Sequence, residues 1–202
     1  MSEAAQGDAA AAHVLAAHVL AALARLGRDG LTLRPVSDTD GPALTALIGA
    51  AYDEYACGPL DPTGFDDDLA SPASSAAERG RDWWVVTERG TLVASAALGG
   101  PHADGAGRPV REIHRLYLAP AVRGIGLATA LVTGLADAAR ASGAVALEAW
   151  SDTRLVDAHT RYLALGFRLS GASRELNDPA CTCELHFTLP LDRGTIADHR
   201  DG

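Results

Sequence analysis

The amino-acid sequence predicts an α+β domain, a mixture of helices and strands around a central sheet. Seven short segments have the residue pattern of β-strands, and helical patterns stand between several of them. One run is especially informative: a strand over 110–118, a helix over 124–141 and a strand over 145–150. A crossover of that kind makes its two strands parallel. The chain has 202 residues, enough for one such domain and a short extension.

The N-terminal half of the domain begins with a strand. Residues 31–36 alternate in polarity and predict that strand. Asp38 or Asp40 can begin a helix that extends to about Glu54, and the latter half of 57–80 predicts another helix. Two strands over 83–87 and 91–98 are expected to form a hairpin around 88–90, followed by a glycine-rich loop over 99–109.

The C-terminal half follows the crossover with a helix and two strands. Residues 145–150 are a continuous apolar run, which is typical of a central strand. A helix over 155–165 is expected to end at Gly166, and 167–171 and 184–189 predict the last strands. The polar tail over 192–202 is expected to be flexible.

An alanine-rich segment precedes the domain. Residues 9–26 predict a helix with one broad apolar face, and the pentapeptide AAHVL occurs in it twice. The repeat places His13 and His18 five residues apart, which is not the spacing of one helical face, so we interpret both as surface histidines. The predicted organisation is an N-terminal helical extension (1–30), the domain (31–191) and the tail (192–202). The extension is expected to cover the domain or to pair with another subunit, so a homodimer is one expectation.

Composition and charge exclude several classes of function. The chain contains 41 alanines and 17 arginines but no lysine. Lysine Schiff bases, lysine general bases and Walker-type phosphate lysines are therefore excluded. A net charge of −9 argues against nucleic-acid binding, which needs a basic surface. The same charge is compatible with a cationic substrate such as an amine.

Short sequence signals bear on compartment and metal content. No stretch reaches the roughly 20 apolar residues that span a bilayer, and the first residues lack a basic n-region. We therefore expect a cytoplasmic protein with no membrane partner. Cys57, Cys181 and Cys183 are an odd set of three and a poor basis for disulfides. Cys181 and Cys183 lie near His186 but do not complete the four ligands of a zinc site, so no metal is expected.

The segment that carries chemistry lies where the 110–118 strand leads into the next helix. It reads Leu116-Tyr-Leu-Ala-Pro-Ala-Val-Arg123-Gly-Ile-Gly126-Leu-Ala128-Thr-Ala-Leu131. The first amides of a helix lack internal partners and carry partial positive charge, and small residues let an anion approach them. The segment therefore predicts a phosphate or pyrophosphate cradle, with Arg123 adding charge. It lacks the third glycine of a Rossmann fingerprint and the lysine of a P-loop.

This arrangement resembles the GNAT acyltransferase superfamily. The acetyl-CoA signature of that family is Gln or Arg, two residues, Gly, one residue, then Gly or Ala. Arg123-Gly-Ile-Gly126-Leu-Ala128 fits it, directly after a strand that ends in Leu-Ala-Pro. Tyr162-Leu-Ala-Leu-Gly166-Phe167 is similar to the family's helix that ends in Tyr, three residues and Gly-Phe. The resemblance covers about residues 31–191.

The resemblance implies a fold and a cofactor site. The fold is a central mixed, mostly antiparallel sheet of about seven strands, splayed between the fourth and fifth strands and flanked by helices. The pantetheine arm of acetyl-CoA is expected in that gap along Leu116, Tyr117 and Leu118. The pyrophosphate is expected on the backbone of Arg123, Gly124, Ile125, Gly126, Leu127, Ala128 and Thr129, so side-chain changes at Ile125 or Leu127 should matter little. Where the family often has an Asn that contacts CoA, this sequence has Leu155.

The resemblance also implies catalytic residues for attack of an amine on the thioester. Tyr162 stands where the family places the acid for the leaving thiolate; a tyrosine that only packs is the alternative. Glu112 stands where several members place a base, and alternation predicts that Glu112, His114 and Leu116 share one strand face. Glu112 and His114 can relay a proton to water, since histidine is poised near neutral pH. Two alternatives stay open: Glu112 forms a structural ion pair with Arg111 or Arg115, or the proton passes through water alone.

The acceptor site is expected near the first helix and at the exit of the fifth strand. The candidates are Tyr52, Tyr55, Phe65 and Asp68 from the first region and Trp150, Ser151, Asp152, Arg154 and Asp157 from the second. Asp152 either holds a cationic substrate or caps the next helix.

The leading functional hypothesis is an acetyl-CoA-dependent N-acetyltransferase. It would move an acetyl group to a primary amine of a small molecule, amino acid or peptide by direct attack in a ternary complex. The alternatives are a non-catalytic acyl-CoA-binding or sensing module of the same fold and an acyltransferase that uses another acyl-CoA. The acceptor stays undetermined, because one fold serves many acceptors.

Overall fold

The computed structural model describes residues 14, 16, 17, 19–25, 28 and 30–191. The strands are β1 (Leu31–Pro35), β2 (Asp82–Glu88), β3 (Thr91–Leu98), β4 (His102–Ala103), β5 (Pro109–Leu118), β6 (Ala146–Asp152), β7 (Arg168–Glu175) and β8 (Cys183–Pro190). The helices of the domain are α1 (Gly41–Glu54), α2 (Pro72–Glu78), α3 (Leu127–Ala141) and α4 (Val156–Ala164), with short 3-10 turns at Asp38–Asp40, Asp67–Ala70 and Pro120–Val122. The predicted surface histidines His13 and His18 and the tail over 192–202 lie outside the described residues.

One sheet contains all of these strands. Its order is β1-β2-β3-β5-β6-β8-β7, and the two-residue β4 pairs with β5 beside this path. Only β5 and β6 pair in parallel, and α3 is the crossover that joins them; the other recorded pairs are antiparallel. The predicted mixed, mostly antiparallel sheet of about seven strands is confirmed, with β4 as an addition that the glycine-rich loop did not suggest.

Strands β5 and β6 diverge after a short paired stretch. Their pairing runs from Val110 with Ala146 to Ile113 with Ala149 and then stops. Beyond that point β5 continues against β3, and β6 continues against β8. The two strands therefore enclose a V-shaped gap, and none of the described strands pairs with the edge of β5 in this gap. The splay implied between the fourth and fifth predicted strands is confirmed.

A β-bulge at Arg115 changes which side chains of β5 share a face. Arg115 has a φ of +50°, and the register against β3 shifts there so that two β5 residues stand opposite one. Ile113 and Leu116, three residues apart, consequently pack against the same core. Glu112 and His114 do share a face, but the prediction that Leu116 joins them is wrong. The extra residue of the bulge interrupts the alternation between them.

The sheet separates two hydrophobic cores. The larger core packs α3 against one face through residues such as Leu131 and Leu135. The smaller core packs α1 against the other face through Leu44 and Ile48. None of the helices in the described ranges is long and apolar enough to cross a membrane.

The N-terminal extension packs on the domain of its own chain. Residues 19–25 are helical, and Val19 and Leu23 are buried in the larger core. Arg28 then pairs with Glu88 on β2, with 2.5 Å between Nε and Oε1. These residues therefore cover the domain of their own chain, which is one of the two roles predicted for the extension.

The helix after the cradle begins three residues later than predicted. Gly124 and Gly126 have φ values of +75° and +91°, in the left-handed region that glycine adopts without strain. Leu127 is the first helical residue, and its side chain is 1% exposed in the larger core. The expectation that side-chain changes at Leu127 matter little therefore concerns anion binding alone, since truncating a buried leucine costs about 2–5 kcal/mol of stability.

Candidate active site

Two clefts meet at the V-shaped gap between β5 and β6. The smaller one, here called the groove, has a volume of about 420 Å³ and lies beside the start of α3 and along α4. The larger one, here called the chamber, has a volume of about 550 Å³ and lies between the α1–α2 connection and strands β5 to β8. Both clefts are lined by Leu116, Tyr117, Leu155, Ala158 and Tyr162. A molecule bound in the groove can therefore extend into the chamber at these residues.

The groove ends on the predicted anion cradle. Among the described residues, the backbone amides over 124–129 donate no backbone hydrogen bond; the first helical bond runs from the Ala130 amide to the Gly126 carbonyl at 3.0 Å. These amides carry the partial positive charge of the α3 N-terminus. A Cβ placed on Gly124 would meet nothing within 4 Å, so this backbone is open to an incoming group. The cradle therefore fits an anion such as a phosphate.

Most of the residues predicted to bind the cofactor line the groove. They are Leu116, Tyr117, Leu118, Arg123, Gly124, Gly126, Ala128 and Thr129. Ile125 and Leu127 do not line it, because their side chains pack on the larger core. These two residues can contribute only through their backbone.

The arginine of the cradle is paired with a carboxylate from α1. Arg123 donates to Glu54 Oε1 at 2.6 Å and Oε2 at 2.7 Å, and its Nε donates to the Leu118 carbonyl at 3.1 Å. The paired guanidinium lowers the pKa of Glu54. Arg161 also lines the groove and has no ion pair within the described ranges. The sequence analysis did not name Arg161, although an arginine one residue before Tyr162 is a signal that could have indicated it.

Tyr55 lies at the groove and not in the chamber. Its hydroxyl donates to Asp157 Oδ2 at 2.6 Å, and this bond joins the end of α1 to the start of α4. The bond raises the pKa of Tyr55 to about 12. Of the predicted acceptor residues, Tyr55 and Asp157 are thus placed on the cradle side of the site.

Tyr162 lies at the junction of the two clefts. It is 6% exposed and packs on Phe167 and Phe187, with ring centroids 5.0 and 5.5 Å away. Burial raises the pKa of Tyr162, so its phenol is protonated at neutral pH. A protonated hydroxyl between the clefts is a suitable acid for a group that leaves from the groove.

Glu112 and His114 lie side by side at the chamber. His114 Nδ1 is 3.6 Å from Glu112 Oε1. Burial raises the pKa of Glu112, which makes it a stronger base than an exposed glutamate. Burial and the nearby Arg81 and Arg115 lower the pKa of His114 to about 3. His114 is therefore neutral at pH 7 and is not poised to titrate there, contrary to the expectation from its ordinary pKa.

An ionic cluster forms one wall of the chamber. Arg115, turned by the bulge, donates to Asp66 Oδ1 at 2.7 Å, Asp68 Oδ1 at 2.6 Å and the Phe65 carbonyl at 2.7 Å. Both carboxylates are buried. Asp68, a predicted acceptor candidate, is consequently a counter-ion of Arg115, and Phe65 contributes its carbonyl to the same arginine.

Tyr52 and Asp152 also line the chamber. Tyr52 lies beside Tyr117, with their ring centroids 6.2 Å apart. Arg154 holds Asp152, donating from Nε to Oδ1 at 2.9 Å and from Nη2 to Oδ2 at 2.7 Å. Burial alone would raise the pKa of Asp152, but these bonds hold it below its ordinary value. The N-cap of α4 is Leu155, so the capping alternative for Asp152 is wrong.

The chamber contains charged residues that the sequence analysis did not name. Arg174 lies over the Trp150 ring at 4.4 Å and donates to Glu184 at 2.6 Å, while Arg81 approaches Asp68 at 3.3 Å. The charged lining consists of Asp61, Asp66, Asp67, Glu112, Asp152, Asp178 and Glu184 with Arg79, Arg81, Arg115 and Arg174. Carboxylates outnumber arginines in this lining, which favours a cationic occupant.

The described residues contain no group of three or more histidine, cysteine or carboxylate side chains that could hold a metal ion. Cys57, Cys181 and Cys183 are free thiols.

Comparisons with known proteins agree with this geometry. Residues 48–167 match the model of the acetyltransferase (GNAT) family. No curated protein sequence matches the chain significantly.

Solved structures share the fold at low sequence identity. YncA of Salmonella typhimurium, described as an acetyltransferase and solved with its cofactor acetyl-CoA, is 22% identical; the alignment covers 85% of this chain and 100% of YncA, with a TM-score of 0.61. An acetyltransferase of Streptococcus agalactiae is 16% identical over 80% of this chain and 99% of its own, with a TM-score of 0.65. The ribosomal-protein-alanine N-acetyltransferase of Brucella melitensis is 20% identical over 79% and 99%, with a TM-score of 0.58.

The family match covers more than half of the 202 residues and includes the cradle, Glu112 and Tyr162. The splayed sheet and the order of its strands place these residues around one gap. This chain belongs to the GNAT acetyltransferase family.

Proposed function

We propose that this chain is an acetyl-CoA-dependent N-acetyltransferase that acetylates a primary amine of a small molecule, amino acid or peptide. The observation that carries the proposal is the meeting of two chemically different clefts at Tyr162. The groove offers unpaired amides to an anionic cofactor, and the chamber offers the partly buried Glu112 carboxylate to an amine. YncA, which is similar in fold, was solved with acetyl-CoA, and the similar NatC complex was solved with CoA.

The residues of the groove fit the anionic half of acetyl-CoA. The amides over 124–129 would hold the pyrophosphate, with Arg123 and Arg161 adding positive charge. The open edge of β5 at 116–118 would pair with the amides of the pantetheine arm, as a sheet edge pairs with an added strand. Acetyl-CoA supplies the activated thioester, and the groove directs it towards Tyr162.

Glu112 is the proposed general base. An amine acceptor is mostly protonated at pH 7, so it must lose a proton before its nitrogen can attack. Glu112 faces the chamber and has a raised pKa, and it accepts that proton. His114, with a pKa of about 3, cannot hold a proton at pH 7. We assign His114 the role of positioning Glu112, which lies 3.6 Å away.

Tyr162 is the proposed general acid. The amine nitrogen attacks the thioester carbon, a C–N bond forms, the nitrogen releases its second proton to water, and the C–S bond breaks. Tyr162 gives its proton to the departing sulfur and later regains one from water. Its raised pKa keeps the phenol protonated until the thiolate forms.

A thiol-release assay tests this proposal. Acetyl-CoA is incubated with the protein and a panel of amines, amino acids, aminoglycosides and peptides, and products are identified by mass spectrometry. We expect acceptor-dependent release of CoA together with an equal amount of acetylated amine. Propionyl-CoA and succinyl-CoA, run in parallel, show whether another acyl donor is preferred.

Calorimetry with acetyl-CoA and CoA separates the alternatives. Binding without turnover of any acceptor would favour a non-catalytic binding module. Absence of binding to either ligand would contradict the proposed function itself.

A further inference from the structure

One arginine in the chamber is only partly neutralised by the protein. Arg81 Nη1 lies 3.3 Å from Asp68 Oδ2, and this is its one ion pair within the described residues. Asp68 is shared with Arg115, which it binds at 2.6 Å, and with Arg79 at 3.6 Å. The Arg81 side chain is 21% exposed and lines the chamber. Among the described residues, the other donors of this side chain make no hydrogen bond.

The other arginines of the chamber are engaged more fully. Arg115 donates to Asp66, Asp68 and the Phe65 carbonyl. Arg79 donates to Asp67 at 2.6 Å, and Arg174 donates to Glu184 at 2.6 Å while its guanidinium lies over Trp150. Arg81 is thus the arginine with the most capacity left to bind an anion.

The register of the sheet brings Arg81 level with Glu112. Asp82, which follows Arg81, pairs with Leu98 on β3. Leu98 in turn pairs with Ile113, which follows Glu112 on β5. Gly99 stands between them in this row, and its amide donates to the Glu112 carbonyl at 2.8 Å. Two strand spacings separate Arg81 from Glu112, about 10 Å between backbones. Both side chains line the chamber, so one small molecule bound there can contact both.

The middle of this row has no side chain of its own and lies against the His114 imidazole. A Cβ at Gly99 would lie 2.8 Å from His114 Nε2. The glycine therefore leaves room for the imidazole at this place in the row, beside Glu112.

We propose that the acceptor carries a carboxylate beside its amine, as a free amino acid or a close analogue does, and that Arg81 binds this carboxylate while Glu112 receives the ammonium proton. This inference rests on the proposed N-acetyltransferase function. The planar guanidinium matches a carboxylate with two parallel hydrogen bonds. An acceptor that lacks the carboxylate would leave the partly buried Arg81 with Asp68 as its one partner among the described residues, which it shares with Arg115, and sites with such unused donors disfavour the incomplete substrate.

The test compares free amino acids with their carboxamides. Initial rates of thiol release are measured for the twenty L-amino acids and for the matching amino-acid amides, which keep the amine and lose the negative charge. For the best acceptor we expect kcat/KM to be about 10- to 100-fold higher for the acid than for the amide. Arg81→Gln should remove this preference by raising KM for the acid more than for the amide, while the Kd for CoA stays near wild type.

Matched variants and binding measurements make each outcome informative. Arg79→Gln is the matched control, because Arg79 belongs to the same cluster but is already paired with Asp67. This variant should still prefer the free amino acid over its amide. Arg81→Lys should keep part of the preference for the acid, because it keeps the positive charge. Thermal melting shows whether each variant is folded. Equal or better turnover of amides, an unchanged preference in Arg81→Gln, or no turnover of any free amino acid while CoA binds would each overturn the inference. If no free amino acid is turned over but CoA still binds, the proposed N-acetyltransferase function can still hold for other amines. If the wild-type protein does not bind CoA, both the inference and the proposed function fail.

Discussion

The groove and the chamber are built from different parts of the chain. The phosphate end of the groove is made by the backbone of one continuous segment, 123–129, with glycines at its two left-handed positions. The chamber is made by side chains that come from segments between residues 52 and 184, and many of its charges form pairs. A backbone site is insensitive to most side-chain changes, whereas a site of side chains can be altered one residue at a time. This division suits an enzyme that keeps one cofactor while its acceptor varies.

The largest effect is expected in the chamber. Glu112→Gln should lower kcat by about 10²- to 10⁴-fold, the usual contribution of a general base, with the Kd for CoA unchanged. In the wild type, log(kcat/KM) should fall as the pH drops through the raised pKa of Glu112, because protonation removes the base.

His114→Gln provides the matched control for the base. It should keep that acidic limb, because a group with a pKa of about 3 is already neutral across the assay range. Loss of the limb in His114→Gln but not in Glu112→Gln would reverse the assignment.

The next effect is expected in the groove. Gly124→Val places a β-branched side chain at a φ of +75° on the open face of the cradle. Losing one charged amide–phosphate hydrogen bond costs about 1.5–3 kcal/mol, or roughly 10- to 150-fold in the Kd for CoA. Ile125→Ala, which keeps the backbone, is the control and should bind CoA nearly as the wild type does. Calorimetry that shows equal affinity for Gly124→Val and wild type would contradict a backbone cradle.

A smaller effect is expected where the clefts meet. Tyr162→Phe keeps the packing on Phe167 and Phe187 but removes the acid. We expect kcat to fall about 10- to 100-fold, because a thiolate leaves more readily than most groups that need a general acid. Single-turnover measurements with a good acceptor would detect the change. An unchanged rate would mean that Tyr162 only packs.

The smallest effect concerns the ion pair at the mouth of the groove. Glu54 competes with a phosphate for Arg123, which it binds at 2.6 and 2.7 Å. Glu54→Gln should tighten CoA binding up to about fivefold at low salt, the range of an exposed ion pair, and less at high salt. Glu78→Gln removes an exposed carboxylate that does not line the groove and serves as the control. Weaker CoA binding in Glu54→Gln would show that the pair supports the cradle and does not compete with it.

The sequence predicted the groove better than the chamber for a physical reason. The cradle depends on local spacing, since glycines next to a helix start produce free amides wherever the segment lies. Arg81 and Arg174 reach the chamber only because the sheet brings β2 near β5 and β7 beside β8. No local pattern marks such positions, and the sequence analysis did not name them.

The bulge in β5 is a second feature that the local sequence pattern does not indicate. Most strands and helices of the domain were predicted to within about three residues, but β4 was missed, β7 extends four residues past its predicted end, and the alternation predicted along β5 is broken. The left-handed residue there is Arg115, and neither glycine nor proline marks it. Its ion pairs with Asp66 and Asp68 at 2.7 and 2.6 Å offset the backbone strain. These partners lie more than forty residues away in the chain, beyond the reach of a pattern argument.

The most direct test of this account is a crystal structure of the protein with CoA. We predict that the pyrophosphate lies on the amides over 124–129, that the pantetheine arm follows the open edge of β5, and that the sulfur ends within hydrogen-bonding reach of Tyr162. A CoA molecule bound elsewhere, or one whose sulfur lies away from the junction of groove and chamber, would contradict the account.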